Sequence, residues 1–474
     1  MSAVSLLKIY HRLPFAARTA VASARGYYLN WSRYGAETER LVERALELER
    51  WEPEALKTWQ DERLAYVLER AATKVPHYRD HWNGKKHGND PTTLGTWPVL
   101  RKDALRENKN AFLADDMNPR RLFLEHTSGT TGTPVEFWSD RATLQAWYAL
   151  AEARWRRWYG VTRHDRWAII GGQQVVPFEQ ETPPFWVWNG GLNQLYMSAL
   201  HVKPDLLGHY LDAIKRYKVV YLYGYSSSLY WLALTAIALG VRLDLRVVIT
   251  NAEPLYDFQR EVIERAFNCP VRETYGLCEM VCAMSECEFE RMHLWPEAGV
   301  AELLNDDDQP VRDGEAGRLV CTGLLNLAMP LIRYEVMDRA RFAPRDFKCE
   351  CGRRLPVVEQ VLGRLDDTIV TKDGRKLALL DIVFGSDLHI KEAQIVQESL
   401  ELIRIRVVPI EGWSESDAAC LSQAVRERMG DVEIRVETTH HIERTFAGKL
   451  RVIVSKIDPM HRQVGHRSHI NSGS

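Results

Sequence analysis

The stretch between Trp167 and Phe267 alternates short apolar runs with amphipathic segments, and this alternation most constrains the fold. The runs 167–172, 219–223 and 247–250 are predicted to be buried strands, and the segments 204–218, 226–239 and 256–267 are predicted to be helices. Short strands separated by helices of ten or more residues pair in parallel, with the helices crossing the faces of the sheet. The sequence therefore predicts an α/β sheet covered on both faces, with ligands at the carboxyl ends of the strands.

The pattern changes in the second half of the chain. Beyond Gly299, strands joined by the turns 305–308 and 313–314 predict an antiparallel subdomain. From residue 366 a smaller α+β domain is predicted, with a helix over 390–398, a strand over 401–409, a helix over 414–429 and a strand over 432–437. At 474 residues the chain is longer than one core normally supports. We expect a large domain over 1–365 with a basic helical region over 1–80, a small domain over 366–458 and a disordered tail over 459–474.

Composition and charge exclude some classes of protein. A net charge of −2 does not favour nucleic-acid binding, and 45% hydrophobic with 27% charged residues is ordinary for a soluble globular protein. The sequence contains no run near the ~20 apolar residues that a membrane span requires. Without a secretory signal, a cytoplasmic location is expected.

The first 36 residues contain five Lys or Arg and no Asp or Glu. We expect a basic helical region interrupted at Pro14 and packed on the large domain. A transit peptide or a surface-binding amphipathic helix is the alternative. With a surface-binding helix, the protein would contact a membrane peripherally. The sequence is also compatible with a homodimer.

Residues 126–134 read HTSGTTGTP, a loop suited to phosphate. Gly129 and Gly132 permit backbone conformations that let successive N–H groups converge on phosphate oxygens. Hydroxyl groups add further donors at Thr127, Ser128, Thr130 and Thr131. Taken alone, such a stretch is equally a turn between two strands. It lacks the Gly-Lys-Ser/Thr of a Walker A loop, so a P-loop kinase or ATPase is not expected.

Five further segments follow in a fixed order. They are Asn251-Ala252-Glu253-Pro254, ETYGLCE over 273–279, LIRYEVMD over 331–338, Gly363-Arg364-Leu365-Asp366-Asp367 with Lys372-Asp373-Gly374, and RTFAGKLR over 444–451. Together with the loop they resemble the adenylate-forming enzymes, in the phenylacetate-CoA ligase-like branch. The segments RLPFAARTA and Val75-Pro76-His77-Tyr78 resemble relatives found with capsule and exopolysaccharide biosynthesis.

The resemblance implies an α/β fold with a large N-terminal adenylation domain, which has covered, mainly parallel sheets plus an antiparallel subdomain, and a small mobile α+β C-terminal domain. It implies catalytic roles for Lys449, Glu279 and Thr130, with Mg²⁺ at Glu279, ribose at Asp338 and a hinge at Asp366. The implied nucleotide-binding residues are Thr127, Ser128, Gly129, Thr131, Gly132, Asn251, Ala252, Glu253, Pro254, Glu273, Tyr275, Gly276, Asp338 and Arg364. Pro254 is also predicted to be the first residue of a helix.

The implied reaction is the activation of a small-molecule carboxylic acid by Mg-ATP, with release of pyrophosphate and acyl transfer to coenzyme A. Acyl transfer to a sugar or an amine in polysaccharide or secondary-metabolite biosynthesis is an alternative. A non-catalytic nucleotide-binding assembly partner is another, because Thr133 stands where the family commonly carries a lysine. Among the aromatic residues Trp186, Trp188, Tyr196, Tyr223, Tyr225 and Tyr275, we expect Tyr225 and Tyr275 to face the substrate.

Two groups of cysteines suggest a metal. Cys287 with His293, and Cys349 with Cys351, would supply the four ligands of a structural Zn²⁺ site. Cys282 is a substitute ligand. The alternative is a set of buried free thiols, and disulfides are not expected in a cytosolic protein.

Overall fold

A computed structural model describes residues 3–81, 90–127, 134–203, 205–364, 369–372, 376–377, 388–445 and 448–457. The chain divides into two compact units, Met1–Val361 and Leu362–Ser474. The predicted domain boundary after residue 365 lies four residues beyond this division. The predicted tail, residues 459–474, lies outside the described residues.

The first unit opens with helices. They are α1 (Ala3–His11), α2 (Phe15–Arg33), α3 (Thr38–Leu48), α4 (Pro53–Lys74), α5 (Pro76–His81) and α6 (Lys102–Asn108). Pro14 separates α1 from α2, because proline has no N–H to continue a helix and is tolerated only at its start. Helix α2 packs on the sheet edge and on a later helix, as expected of a basic helix seated on the large domain.

In the rest of this unit, strands and helices alternate between Trp167 and Phe267 as predicted, with two additional strands over Trp186–Asn189 and Gln194–Ser198. The helices are α7 (Arg141–Arg154), α8 (Leu207–Arg216), α9 (Ser226–Leu239) and α10 (Asp257–Phe267). The strands are β1 (Phe123–His126), β2 (Glu136–Ser139), β3 (Trp167–Gly171), β4 (Trp186–Asn189), β5 (Gln194–Ser198), β6 (Tyr221–Gly224), β7 (Val247–Asn251), β8 (Val271–Gly276), β9 (Ala283–Glu286), β10 (Met292–Leu294), β11 (Gly299–Leu304), β12 (Ala316–Gly323), β13 (Tyr334–Phe342) and β14 (Val357–Arg364).

One sheet joins most of these strands, in the order β11-β12-β13-β14-β10-β9-β8-β7-β6-β3-β5-β4. Strands β5, β3, β6, β7 and β8 pair in parallel, which confirms the predicted α/β class. The antiparallel strands beyond Gly299 extend the same sheet. The link is β10, where Met292 pairs with Glu286 of β9 on one side and Val358 of β14 on the other.

A buried ion pair ties the helices of this unit together. Arg154, at the end of α7, is fully buried and donates to both carboxylate oxygens of Glu297, at 2.8 and 2.7 Å. Its Nη2 also donates to the backbone oxygen of Ala45 in α3 at 3.0 Å. The guanidinium therefore links α3 and α7 to the segment before β11.

The second unit has its own sheet and core. Its elements are β15 (Ile369–Val370), β16 (Lys376–Leu377), β17 (Ile390–Gln397), β18 (Leu402–Pro409), α11 (Glu415–Met429), β19 (Glu433–Thr438) and β20 (Ile453–Ser455), with β19-β18-β17-β20 forming a four-stranded sheet. The short β15 and β16 pair antiparallel. The predicted turn at Asp373-Gly374 between them lies outside the described residues.

The predicted helix over 390–398 is wrong, because this segment is the strand β17. It lies inside the sheet, antiparallel to β18 and parallel to β20. Its polar residues favour a helix, but in the folded protein several of them are buried and form hydrogen bonds. Gln397 exchanges two hydrogen bonds with the backbone of Val370, at 3.0 and 2.7 Å, and Glu392 accepts one from Arg444. Pairing on both sides outweighs helix propensity here.

No helix within the described ranges is both long and apolar enough to span a bilayer.

Candidate active site

The predicted adenine segment lies at the carboxyl edge of the parallel strands. Asn251 ends β7 and pairs with Thr274 of β8. Ala252 has a φ of 62°, a left-handed conformation that is uncommon for residues with a side chain. The Glu253 carboxylate accepts from the backbone N–H of Ser227 at 3.1 Å, at the start of α9, where the helix dipole favours a negative charge.

The helix that follows this segment starts later than predicted. Pro254 is not its first residue, because α10 begins at Asp257. The intervening backbone is held by neighbours instead. The backbone oxygen of Pro254 accepts from Ser226 Oγ at 2.7 Å, and the N–H of Leu255 donates to Glu273 Oε1 at 3.3 Å.

Asn251 offers a buried acceptor at this edge. Its Oδ1 has no donor in the described part of the chain. Buried polar atoms are rarely left without a partner, so an unsatisfied oxygen at the end of a strand suits an N–H donor from a ligand. The exocyclic amine of a purine is a donor of that kind, and the residues present fit a nucleotide.

Tyr275 and Asp338 come together although they are 63 residues apart in sequence. The phenol oxygen donates to Asp338 Oδ2 at 2.6 Å. Burial, reinforced by this carboxylate, raises the pKa of Tyr275 well above its usual value. Asp338 is itself buried in β13 and follows Met337, which has a φ of 71°. Asp338 is thus held by Tyr275, the residue after the Thr274 that pairs with Asn251, and its carboxylate can accept from the hydroxyl groups of a sugar.

Glu279, the predicted Mg²⁺ ligand, is buried and oriented by two residues. Its Oε1 accepts from the phenol of Tyr334 at 2.8 Å, and the ammonium of Lys102 lies 3.9 Å from the same oxygen. Within the described ranges no group donates to Oε2. A carboxylate with one oxygen fixed and the other available fits a magnesium ion that takes its other ligands from phosphate and water.

Lys102 and Tyr334 were not predicted as site residues. The segment before α6 pairs with the start of β13. Leu100 N–H donates to Arg333 O at 2.8 Å, and Glu335 N–H donates to Leu100 O at 3.0 Å. This pairing brings Lys102 beside Glu279. Tyr334 lies inside the LIRYEVMD segment and could have been suspected there, but Lys102 has no local signal.

Only the base of the predicted phosphate loop can be described. The N–H of Thr127 donates to Val135 O at 2.9 Å, and Val135 N–H donates to Thr127 Oγ1 at 3.0 Å. This extends the antiparallel pair of β1 and β2. The other residues of the loop lie outside the described residues: Ser128, Gly129, Thr130, Thr131, Gly132 and Thr133.

Two other residues of the ETYGLCE segment, Glu273 and Gly276, were predicted to belong to the nucleotide site. Glu273 is partly buried, and this burial, followed by the nearby carboxylate of Glu286, raises its pKa to about 7. One of its oxygens is used by Leu255, so it supports the adenine segment. Gly276 ends β8 against Trp155, where an added Cβ would lie 2.8 Å from the indole.

The predicted aromatic pocket is only partly assembled. Tyr225 is buried at the start of α9, next to the carboxyl end of β6, and burial raises its pKa to about 12. Trp186 and Trp188 lie on β4, four strand positions from β7, which is roughly 19 Å at the usual strand spacing. Trp188 stacks on Tyr217 at 5.3 Å. These two tryptophans belong to the sheet edge and not to the site.

The four predicted zinc ligands meet. The ligand atoms of Cys287, His293, Cys349 and Cys351 all lie within 4.8 Å of one another. The two sulfurs of Cys287 and Cys349 are 3.6 Å apart, and Cys351 Sγ is 3.4 Å from His293 Nε2. Tetrahedral zinc with ordinary bond lengths requires roughly 3.7 and roughly 3.5 Å, so the residues fit the ion.

The surroundings of this cluster also suit a metal. His293 Nδ1 lies 3.3 Å from the backbone oxygen of Leu355, which leaves Nε2 facing the sulfurs. Burial lowers the pKa of His293 to about 4, so the ring is neutral, as a ligand must be. Cys282 is not part of the group, because it lies in the main core beside Cys321.

In the second unit, the backbone of Lys449 is held by Thr445, and residues 446–447 between them lie outside the described residues. Lys449 N–H donates to Thr445 Oγ1 at 3.1 Å, and its carbonyl accepts from Thr445 N–H at 2.9 Å. Arg444 also pairs with Leu450. Arg364 is the last residue of β14, and Asp366, the predicted hinge, lies outside the described residues.

Comparison with known proteins now gives the class. Residues 55–329 match the AMP-binding enzyme family, and residues 369–456 match the CapK C-terminal domain. The protein belongs to the AMP-binding enzyme family, as its motifs implied, and is an AMP-forming ligase.

Individual relatives agree with this class. The chain is 24% identical to Protein CapK of Staphylococcus aureus over 76% of this chain and 80% of that protein. It is 26% identical to the phenylacetate-coenzyme A ligase of Thermus thermophilus over 69% of this chain and 74% of that enzyme. Among solved structures, a 2-hydroxyisobutyryl-CoA ligase in the postadenylation state shares the fold, with a TM-score of 0.67, 21% identity and coverage of 88% of this chain and 92% of that one.

Proposed function

We propose that this protein activates a carboxylic acid with Mg-ATP as an acyl-adenylate and then passes the acyl group to coenzyme A. The observation that supports this most is the hydrogen bond from Tyr275 to Asp338, at 2.6 Å. It holds a buried carboxylate beside the strand end where Asn251 presents its unsatisfied acceptor. A sugar and a purine of one nucleotide would bind these two groups together.

The reaction consists of two displacements. A carboxylate oxygen of the acid attacks the α-phosphorus of ATP, and the bond to the bridging β-phosphate oxygen breaks, so that pyrophosphate leaves. The thiol sulfur of coenzyme A then attacks the acyl carbon, AMP leaves and the thiol proton is released. The first step gathers negative charge on phosphate oxygens and the second on the acyl oxygen and the departing phosphate, so positioning and electrostatic stabilisation are the main requirements.

The residues would divide these tasks. Asp338 and Asn251 bind the nucleoside, Tyr275 and Tyr225 face the acid, and the loop 127–132, with Thr130, donates to phosphate. A magnesium ion held at Glu279 would neutralise charge on the phosphates. Lys449 would provide the cation needed for adenylation.

Pyrophosphate release from Mg-ATP tests this proposal across aryl, fatty, amino and uronic acids, each with and without coenzyme A. We expect release that depends on one class of acid and a thioester that forms only with coenzyme A. Acid-dependent pyrophosphate release without any thioester would support adenylation but would exclude coenzyme A as the acceptor. The absence of acid-dependent release, with ATP binding intact, would reject the ligase reaction.

A sugar hydroxyl or an amine is the second candidate acceptor. The resemblance of the N-terminal segments to relatives found with capsule and exopolysaccharide biosynthesis favours it, and the chain is similar to Protein CapK along most of its length. Once the acid is identified, amino sugars and coenzyme A can compete for the same adenylate. An amide or ester that forms in preference to the thioester would support the second candidate.

A non-catalytic assembly partner that binds nucleotide is the third candidate, and Thr133 in place of lysine favours it. Lys449→Ala distinguishes this candidate from an enzyme. Loss of adenylation and of cellular activity together, in a folded protein, supports the enzyme. Unchanged cellular activity supports the binding role.

We also propose that Cys287, His293, Cys349 and Cys351 bind one structural zinc ion. It would join the turn after β9 to the segment before β14. Elemental analysis of the purified protein should find about one zinc per chain, retained by Cys420→Ser, which changes an exposed cysteine of α11. Cys349→Ser should lose the zinc and melt at lower temperature. A well-folded protein without zinc would contradict the proposal.

A further inference from the structure

The N-terminal helices expose an unusual number of large apolar side chains. Of the fourteen such side chains that are exposed among the described residues, six lie on α1 and α2: Leu6, Ile9, Val21, Tyr27, Tyr28 and Trp31. We call these six residues the N-terminal apolar surface. Single exposed apolar residues are ordinary, but a concentration of them marks an interaction site.

Helical spacing places the α2 members on one face. Val21 and Tyr28 are seven residues apart, Tyr28 and Trp31 three, and Tyr27 and Trp31 four, which are the intervals of neighbours along a helix. Leu6 and Ile9 have the same relation on α1. The apolar side chains therefore form stripes and are not scattered.

The opposite face of α2 is firmly seated on the large unit. A Cβ added at Gly26 would lie 1.6 Å from Asn189 Oδ1, and one added at Gly191 would lie 2.2 Å from the backbone nitrogen of Tyr27. Only glycine allows this close approach between the helix and the sheet edge. Ser23 Oγ also donates to the backbone oxygen of Trp188 at 3.2 Å. The helix cannot rotate its apolar stripe inward without breaking these contacts.

The two helices themselves carry charge of one sign, whereas the exposed acids nearby, Glu179 and Glu181, flank Gln180, which accepts from Arg18 of α2 at 3.1 Å. Residues 1–36 contain no Asp or Glu, and Lys8, Arg12 and Arg25 are exposed. The acid that interacts with Arg25 is Glu125 of β1, which also interacts with Arg33 and is partly buried. A basic surface is complementary to anionic headgroups, whereas a second copy of the same surface would repel it.

The chemistry of the side chains points in the same direction. Tyrosine and tryptophan are enriched at membrane–water interfaces, because an apolar ring with a polar edge suits the headgroup level. Helices that lie on membranes combine such residues with Lys and Arg. We propose that the N-terminal apolar surface docks on an anionic phospholipid bilayer, with Lys8, Arg12 and Arg25 contacting lipid phosphates. This docking is independent of the reaction proposed above.

Co-sedimentation of the full-length protein with vesicles tests the proposal. We expect binding to vesicles of equimolar phosphatidylcholine and phosphatidylglycerol, little binding to phosphatidylcholine alone, and weaker binding at high salt. Leu6→Gln/Val21→Gln/Tyr27→Gln should weaken the partition at least about tenfold, since each change removes buried apolar area. Lys8→Gln/Arg12→Gln/Arg25→Gln should weaken it by roughly fivefold per cation.

The matched control is Ile237→Gln/Leu239→Gln, which removes two exposed apolar side chains near the end of α9. It should bind vesicles like the unchanged protein. Melting temperatures check that every variant is folded. The salt dependence of vesicle binding is measured on the unchanged protein and so tests the role of charge without any variant. Equal binding to neutral and anionic vesicles, or no binding to either, would overturn the proposal. So would a dimer in solution that the apolar variant dissociates while vesicle binding is absent.

Discussion

At the scale of single residues, the candidate site depends on side chains that are oriented by a buried neighbour. Tyr275 fixes Asp338, Tyr334 fixes Glu279, and Glu253 is fixed by the backbone at the start of α9. Charge-assisted hydrogen bonds of this kind are stronger than neutral ones and give a carboxylate one orientation. Such orientation before binding is what a nucleotide site requires.

Tyr275→Phe should separate this orienting role from general stability. Losing a hydrogen bond to a buried carboxylate should weaken ATP binding about tenfold, which corresponds to ~1.5 kcal/mol. Titration calorimetry measures the binding. Tyr210→Phe is the matched control, because its phenol also donates a hydrogen bond, to the backbone oxygen of Ser198 at 2.7 Å, and is buried away from the site. Both variants should melt at lower temperature, and only the first should bind ATP more weakly. Equal ATP affinity of the two would contradict the role of Tyr275.

Glu273 should make stability depend on pH. Its pKa is about 7 in the folded protein, against an ordinary value of 4.5. Between pH 4.5 and about 7, the folded state therefore retains a proton that the unfolded state has lost. The free energy of unfolding should therefore fall as the pH rises from about 4.5 to about 7. Glu273→Gln keeps an acceptor for Leu255 and should flatten this slope, as measured by urea unfolding at several pH values.

The control for this experiment is Glu261→Gln, an exposed change on α10, which should leave the slope unaltered. Because Glu286 and Arg260 adjoin Glu273, part of the slope can remain. An identical slope in Glu273→Gln and the unchanged protein would show that Glu273 is not the group responsible.

The sequence predicted those site residues that belong to contiguous segments, such as Asn251 to Pro254 and Glu273 to Glu279. It could not predict Lys102, because a lone lysine at the start of a short helix has no local signal. Its position follows from the pairing of Leu100 with Tyr334, more than 200 residues away, and such a bridge is not visible in either segment alone.

At the scale of elements, three of the five parallel strands, β3, β6 and β7, and the helices α8 to α10 could be predicted closely, whereas β5 and β8 were not predicted. Helix α9 has the predicted bounds, because the signals that define it lie within its own segment: an apolar sequence and Gly240, which ends the helix. Strand β17 could not be predicted. Its Lys391, Glu392 and Gln394 favour a helix locally, whereas its two strand partners come from segments further along the chain. Tertiary pairing decided its structure.

The contact of α3 with α7 should depend strongly on Arg154. Arg154→Ala would leave Glu297 buried without its partner, close to Glu49, and breaking a buried pair in this way costs ~3–5 kcal/mol. Urea unfolding measures the loss. Arg40→Ala breaks an exposed pair with Glu37 and should change stability by less than ~0.5 kcal/mol. Similar losses in both variants would show that the buried pair has no special weight.

At the scale of the whole molecule, one mixed sheet positions the nucleotide-binding candidates. The parallel half brings Asn251 and Tyr275 to one edge, and the antiparallel half contributes Asp338 and Tyr334. The continuity of the sheet through β10 was not predicted, because a three-residue strand has too little periodicity to be recognised in the sequence. Lys449, in contrast, was located only by its resemblance to a family motif.

The exchange of labelled pyrophosphate into ATP tests acid adenylation most directly, since it reports the first step without any acceptor. It should be measured with the acid selected by the release assay, for the unchanged protein, Lys449→Ala and the control Lys456→Ala. We predict acid-dependent exchange that Lys449→Ala lowers by a factor on the order of a hundred and that Lys456→Ala leaves unchanged. Exchange that is absent from the unchanged, ATP-binding protein, or undiminished in Lys449→Ala, would contradict the account.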